Sequence, residues 1–260
     1  MEVAQKCLRK QGWNIQQALE AFWENPEEFS PQAPPCDVGL LDQMFMKYKG
    51  NLPRSWICRV WYNSFFTDPN EEAMGIEGLL SFCEDLVIAP DDVRMLILCF
   101  NLGVKSSVRW TKQEFIQGLM RLGCDSVQKI KDKFHSMQAD LIDPLKFKSF
   151  YSFAFDLSRM EGQKVLDLQT AITLWRLIIA EKFKHLNLWC EFLENEYKKS
   201  ITKDTWMLTL DFGLTVDDQM SNIDLENSAW PVVIDEVIIA KLLWEFPFSI
   251  LFISPLFRSL

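Results

Sequence analysis

The chain has 260 residues, 48% apolar, 13% aromatic and 24% charged, enough to bury a full core with room for one domain and a small second one. Its 36 Asp and Glu outnumber 27 Lys and Arg, giving a net charge of −9, which argues against nucleic-acid or phosphate binding, since both need concentrated cations. With only 10 glycines, an all-β protein full of tight turns is not expected, and helices are.

Residues 1–29 form a compact unit. Val3, Cys7 and Leu8 share one helical face, and Gly12 ends that helix. Asn14 is placed to cap the next one, whose apolar face is Ile15, Ala18, Leu19, Phe22 and Trp23. Residues 30–38, with PQAPP at 31–35, read as a linker. From Gly39 the helical period continues almost without break. One stripe is Ile76, Leu79, Leu80, Cys83 and Leu86; another, after the start signal Pro90-Asp91, is Val93, Leu96, Ile97 and Phe100. Phe115, Leu119 and Leu122 precede a helix end at Gly123. An aromatic stretch (Phe147, Phe150, Tyr151, Phe153, Phe155) leads to Ala171, Leu174, Trp175 and Ile178, then Leu188, Phe192 and Leu193.

These helix–loop–helix units invite a calcium test. A calcium loop needs oxygen ligands at positions 1, 3, 5 and 12 and an apolar residue at 8. With Trp110 at position 8, Glu114 falls at 12, but positions 1, 3 and 5 are Gly103, Lys105 and Ser107. With Ile76 at position 8, position 12 is Leu80. Helix–loop–helix geometry without metal is therefore expected. The seven cysteines are never closer than 16 residues, so no zinc spacing exists, and neither a cofactor nor a metal is expected. Their odd number, without a signal peptide, fits a reduced intracellular setting, nucleus or cytoplasm. No uncharged apolar run reaches the ~18 residues of an ordinary membrane span; 246–257 comes nearest and holds Pro247 and Pro255.

No catalytic residue is expected. The two histidines, His135 and His185, neighbour no nucleophile in sequence, and no hydrolase, phosphate-loop, dinucleotide or zinc-protease motif occurs. Cys124, after Gly123, is either a loop or core cysteine or an exposed thiolate. The distinctive segment is Asp204–Glu236, with eight Asp or Glu and no Lys or Arg. Trp206, Leu208, Leu210, Phe212, Trp230, Val232 and Ile234 can anchor it. Asp211, Asp217, Asp218, Asp224 and Asp235 would then face outward as a fixed acidic surface that attracts a basic partner.

Together, LGCDS (122–126), NLWCEFLENEYKKSITKDTWMLTLDF (187–212), DDQMSN (217–222) and AWPVVIDE (229–236) resemble the defective-in-cullin-neddylation (DCN1-like) family. The resemblance covers residues 39–236, the family's potentiating-neddylation domain, and residues 1–29 resemble the last two helices of its ubiquitin-associated-like (UBA-like) module. It implies an all-α fold of calcium-free, EF-hand-like helix–loop–helix pairs preceded by two UBA-like helices. It also implies a scaffold-type E3 component that holds a cullin C-terminal domain and a neddylation E2 together, acting through proximity and orientation. On the matching motifs, the patch for the cullin's basic winged-helix region falls at Asp211, Ala229 and Asp235. The pocket for the N-acetylated methionine of the E2 falls at Ile76, Leu79, Phe82, Met95, Leu98, Cys99, Leu102, Trp110, Leu157 and Leu177. From helical pattern alone those ten are core residues. Asp91, Met95, Cys99 and Ser107 differ from the smaller, more apolar or amide-bearing residues expected there.

The chain departs from the family in three places. The N-terminal module begins at its second helix, so a three-helix bundle does not close and ubiquitin is at most a weak further partner. Residues 50–67 read as an insertion with two Trp, one Tyr and two Phe, and 237–260 as a divergent apolar tail. An unusual transcript or gene model accounts for all three; a short membrane hook at 246–257 is the competing reading of the tail. The alternative function is a binding module of the ubiquitin-like pathway, or a splice product that does not promote neddylation.

Overall fold

The computed structural model describes residues 7–24, 36–49, 72–160, 162–220, 222 and 233–238. After helical residues 7–10 come α1 (Ile15–Glu24) and α2 (Val38–Tyr48). A first block holds β1 (Ala73–Met74), α3 (Ile76–Leu86), α4 (Val93–Leu102), β2 (Trp110–Thr111) and α5 (Lys112–Leu122). Two helices follow, α6 (Val127–Asp140) and α7 (Pro144–Ser158). A second block holds β3 (Val165–Leu166), α8 (Leu168–Ile178), α9 (Leu186–Phe192), a π-helical turn (Leu193–Tyr197), β4 (Ile201–Thr202) and α10 (Lys203–Thr215). Residues 233–238 are again helical. The fold is all-α, as the sequence predicts.

Side-chain caps start the helices. Asn14 accepts from the amides of Gln16 and Gln17, Asp37 from Gly39 and Leu40, and Asp143 from Leu145 ahead of a Pro at the first helical position. Asp92, one residue beyond the predicted Asp91, caps α4.

The two blocks share a construction. β1 pairs antiparallel with β2, Met74 opposite Trp110, and β3 pairs with β4, Leu166 opposite Ile201. Each two-residue strand leads directly or after one residue into a helix, so the four loops are two helix–loop–helix pairs joined at the loops. The predicted register of the first loop needs correcting. Met74, not Ile76, pairs with Trp110, which moves Gly78 to the twelfth position. Two-residue strands carry too little periodic signal to fix register, and the second pair of loops was missed for the same reason. Counting alike from Leu166 and Ile201, the twelfth positions are Thr170 and Thr205. Glu114 is the one carboxylate among the four, and it is committed to the backbone. Its Oε2 accepts from the Thr111 amide at 2.9 Å and its Oε1 from the Lys105 amide at 3.2 Å, within a capping box.

One core unites α2 to α10 and helical residues 233–238. At its centre is an aromatic stack between α7, α8 and α10. Tyr151 stacks on Trp206 at 4.4 Å and Trp206 on Trp175 at 5.2 Å. The polar atoms are satisfied reciprocally. The Tyr151 hydroxyl donates to the Trp206 carbonyl, the Trp206 Nε1–H donates to the Tyr151 carbonyl, both at 2.9 Å, and the Trp175 Nε1–H donates to the Tyr151 hydroxyl. Burial drives the Tyr151 phenol well above its ordinary range, so it stays a neutral donor.

Two predicted apolar faces are corrected. On α3 the buried stripe is Leu79, Phe82, Cys83 and Leu86, while Ile76 and Leu80 are exposed. On α1, Ala18 is buried against Cys7, with Phe22 partly buried, but Ile15, Leu19 and Trp23 are exposed. Residues 7–24 form a small cluster of their own, and two short helices cover only one side of each other. The predicted insertion at 50–67 lies outside the described residues, as does the tail beyond 238. The apolar face itself runs into the tail: Val233, Ile234, Val237 and Ile238 are all buried in the main core.

Candidate functional site

Lys203 to Thr215 form α10 because Thr202 caps it, accepting from the Thr205 amide, and because Trp206, Leu210 and Phe212 bury one side. That orientation leaves Asp211 part-exposed. Its carboxylate is not free: the Lys148 ammonium, from α7, sits 2.9 Å from Oδ1 and 3.0 Å from Oδ2. The geometry follows from the core, since Lys148 lies one turn before Tyr151 and Asp211 just beyond Trp206. Asp218 similarly meets Lys184. The acidic segment lacks cations of its own, yet the fold supplies them from α7 and from the turn between α8 and α9.

Asp235 lies in helical residues 233–238, where Val233, Ile234, Val237 and Ile238 hold it to the core. The prediction that it faces freely outward is corrected. Its Oδ1 is buried and has no hydrogen-bond partner among the described residues. Burial first, and the Glu236 charge second, push its carboxyl above the ordinary range. Ala229, the third predicted patch residue, and Asp224 lie outside the described residues, as do Trp230 and Val232. After α10 the loop is held locally. The Asn222 side chain accepts from the Asp217 amide and donates to the Thr215 carbonyl.

The Asp235 geometry has a stability consequence. A carboxyl whose folded value lies above its unfolded one favours the fold when protonated. That contribution is complete below the unfolded value and is lost as pH rises through the folded one. Ionised Asp235 is thus a cost at neutral pH. Asp235→Asn is expected to raise the melting temperature by about 1–2 °C at pH 7, with the gain shrinking towards pH 4. Calorimetric melts at both values check it; a less stable variant at pH 7 would refute it.

Nine of the ten predicted E2-pocket residues are buried or half-buried in the main core. Phe82 lies edge-on to Trp110 at 5.9 Å and to Tyr48 at 5.0 Å. Cys83 Sγ lies 3.8 Å from Met95 Sδ, and burial pushes the Cys99 thiol up to about 12, with Cys83 adding to the shift. Leu157 is buried on α7, Leu177 is half-buried on α8, and Ile76 is 52% exposed. A cavity of about 310 Å³ lies elsewhere, between α4, α6 and α7, against Phe100, Met137, Leu141 and Leu145. Cys124 is buried with its thiol raised by desolvation, which removes the exposed-thiolate reading. His135 is exposed, and His185 binds the Asp217 carbonyl at 3.0 Å. No group of three metal-ligating side chains occurs among the described residues.

A family model described as cullin binding matches residues 129–239, the stretch from α6 through helical residues 233–238. This places the protein among all-helical proteins with a cullin-binding domain. It is 33% identical over 181 residues to DCN1-like protein 4 of Drosophila melanogaster, covering 70% of this chain and 73% of that one. It is 34% identical over 181 residues to human DCN1-like protein 5, covering 70% and 75%. Against human DCN1-like protein 4 the identity is 31% over 204 residues, covering 76% and 69%. The chain belongs to the DCN1-like family.

Proposed function

We propose that this protein promotes cullin neddylation as a non-catalytic scaffold. In this reading Asp211 and Asp235 receive the basic winged-helix region of a cullin C-terminal domain. The observation that carries it is Asp235, one carboxylate oxygen of which is buried and has no partner among the described residues, inside the segment matched by the cullin-binding model. An uncompensated buried acceptor costs stability, and an arriving Arg or Lys donor would satisfy it through a charge-assisted hydrogen bond. Ala229 belongs to the same patch by its motif, leaving room for close approach.

The second partner is a neddylation E2 with an acetylated N-terminus. Acetylation removes a terminal charge whose burial would be costly, so an apolar groove can take the methionine. In this reading the methionine enters beside Ile76 and Leu80, one helical turn apart and both exposed on α3, towards the matching residues Leu79, Phe82, Met95, Leu98, Cys99, Leu102, Trp110, Leu157 and Leu177. The six described cysteines are free thiols, consistent with a reducing cellular compartment. A weak ubiquitin contact through residues 7–24 is a further, separate part of this reading.

Calorimetric titration with a purified cullin C-terminal domain tests the proposal. Wild type should bind, and Asp211→Lys should lose at least ~100-fold by setting like charges against each other. Equal affinity of the two would refute the patch. Binding of the E2 peptide without stimulation of neddylation would favour the non-productive alternative.

A further inference from the structure

We propose that Lys148 is a built-in competitor for the docking surface, one that a basic partner must displace from Asp211. This rests on the docking role proposed for Asp211. The ammonium sits between the two carboxylate oxygens, at 2.9 and 3.0 Å, and so occupies the face that a bidentate guanidinium would use. It is not an incidental surface contact. Lys148 and Tyr151 lie one turn apart on α7, and Tyr151 is tied to Trp206 of α10 by two reciprocal hydrogen bonds. Those bonds hold the two backbones so that the lysine reaches the aspartate. The side chains remain 48% and 39% exposed, so the pair is weak in itself and can be opened.

The two aspartates then have different parts. Asp235 offers an acceptor with no donor among the described residues, whereas Asp211 offers one already neutralised. A cation arriving at Asp211 must repel or displace the ammonium, and affinity is lost in doing so. Lys148 thereby discriminates against weakly basic surfaces, since only a partner that also fills Asp235 gains enough to open the pair. Neutralising Lys148, by substitution or by modification of its exposed amine, would relax that discrimination.

The test compares wild type, Lys148→Gln, Asp211→Asn and the double variant in titrations with the cullin C-terminal domain, at two salt concentrations. Thermal melts confirm that each variant is folded. Lys148→Gln should bind three- to ten-fold more tightly with a steeper salt dependence, and the gain should vanish in the double variant. If Lys148→Gln binds equally or more weakly while Asp211→Asn weakens binding, the competition is overturned and the docking reading stands. If Asp211→Asn binds like wild type, the docking reading fails and this inference with it.

Discussion

Trp206→Ala is expected to destabilise the protein by about 3–5 kcal/mol, lowering the melting temperature by roughly 6–20 °C. Trp206 is fully buried, stacked between Tyr151 and Trp175 and touching Phe155, so its removal leaves a cavity with three aromatic walls. It also removes the Nε1–H donor that ties α10 to the Tyr151 carbonyl. Trp206→Phe keeps most of the ring contact and loses that hydrogen bond, so it should cost less, about 1–2 kcal/mol. Denaturant unfolding of both variants separates the two contributions. The same substitutions reach the site, because this stack sets the spacing of Lys148 and Asp211. By loosening that pair, folded Trp206→Phe should shift cullin-domain affinity in the same direction as Lys148→Gln, and by less. A Trp206→Ala variant within 1 kcal/mol of wild type would show that the stack does not hold α7 to α10.

The helical fold was legible because its signals are local and repeated. Ala171, Leu174, Trp175 and Ile178 recur at helical spacing and are all buried on α8. Asn14 and Gly123 mark a start and an end, one by its side-chain oxygen and the other by a positive φ of 72°. Features that depend on another element were not legible. Nothing in Asp204–Glu236 announces that Lys148, 63 residues before Asp211 in the chain, will neutralise it. Nor does sequence show that Asp235 turns one oxygen inward, since the i, i+4 spacing of Val233 and Val237 permits either outcome. The end of α3 is another case. Val87 takes the left-handed position at φ 60°, a role its β-branched side chain disfavours, so no glycine marks the boundary. On α1, period alone could not distinguish a face covered by a neighbour, at Ala18 and Phe22, from one left uncovered at Trp23.

Gly78→Ala should be at least as damaging as loss of the tryptophan, although Ala is the better helix former. In an exposed helix interior the change gains about 0.5–1 kcal/mol. Here a Cβ on residue 78 would lie 1.7 Å from the carbonyl oxygen of Tyr48, the last residue of α2, and 2.8 Å from Met74 Cγ. The clash is with backbone, so rotamer changes cannot relieve it; α2 and α3 must separate. That separation would break the ring contact of Tyr48 with Phe82 and the 2.5 Å bond from the Tyr48 hydroxyl to Asp85, with Lys47 on the same carboxylate. A loss above about 3 kcal/mol is expected, read as a melting shift, together with failure to bind the acetylated E2 peptide. A variant as stable as wild type would mean that α2 and α3 are not held at this distance. The same contact bears on the calcium expectation for the first loop. Gly78 stands at the twelfth position, where a calcium loop needs a bidentate carboxylate. No side chain fits there, because the end of α2 occupies the space. The residue that joins these helices is therefore the one a metal site would have needed, and the loop pair is held by β1–β2 pairing and core burial instead.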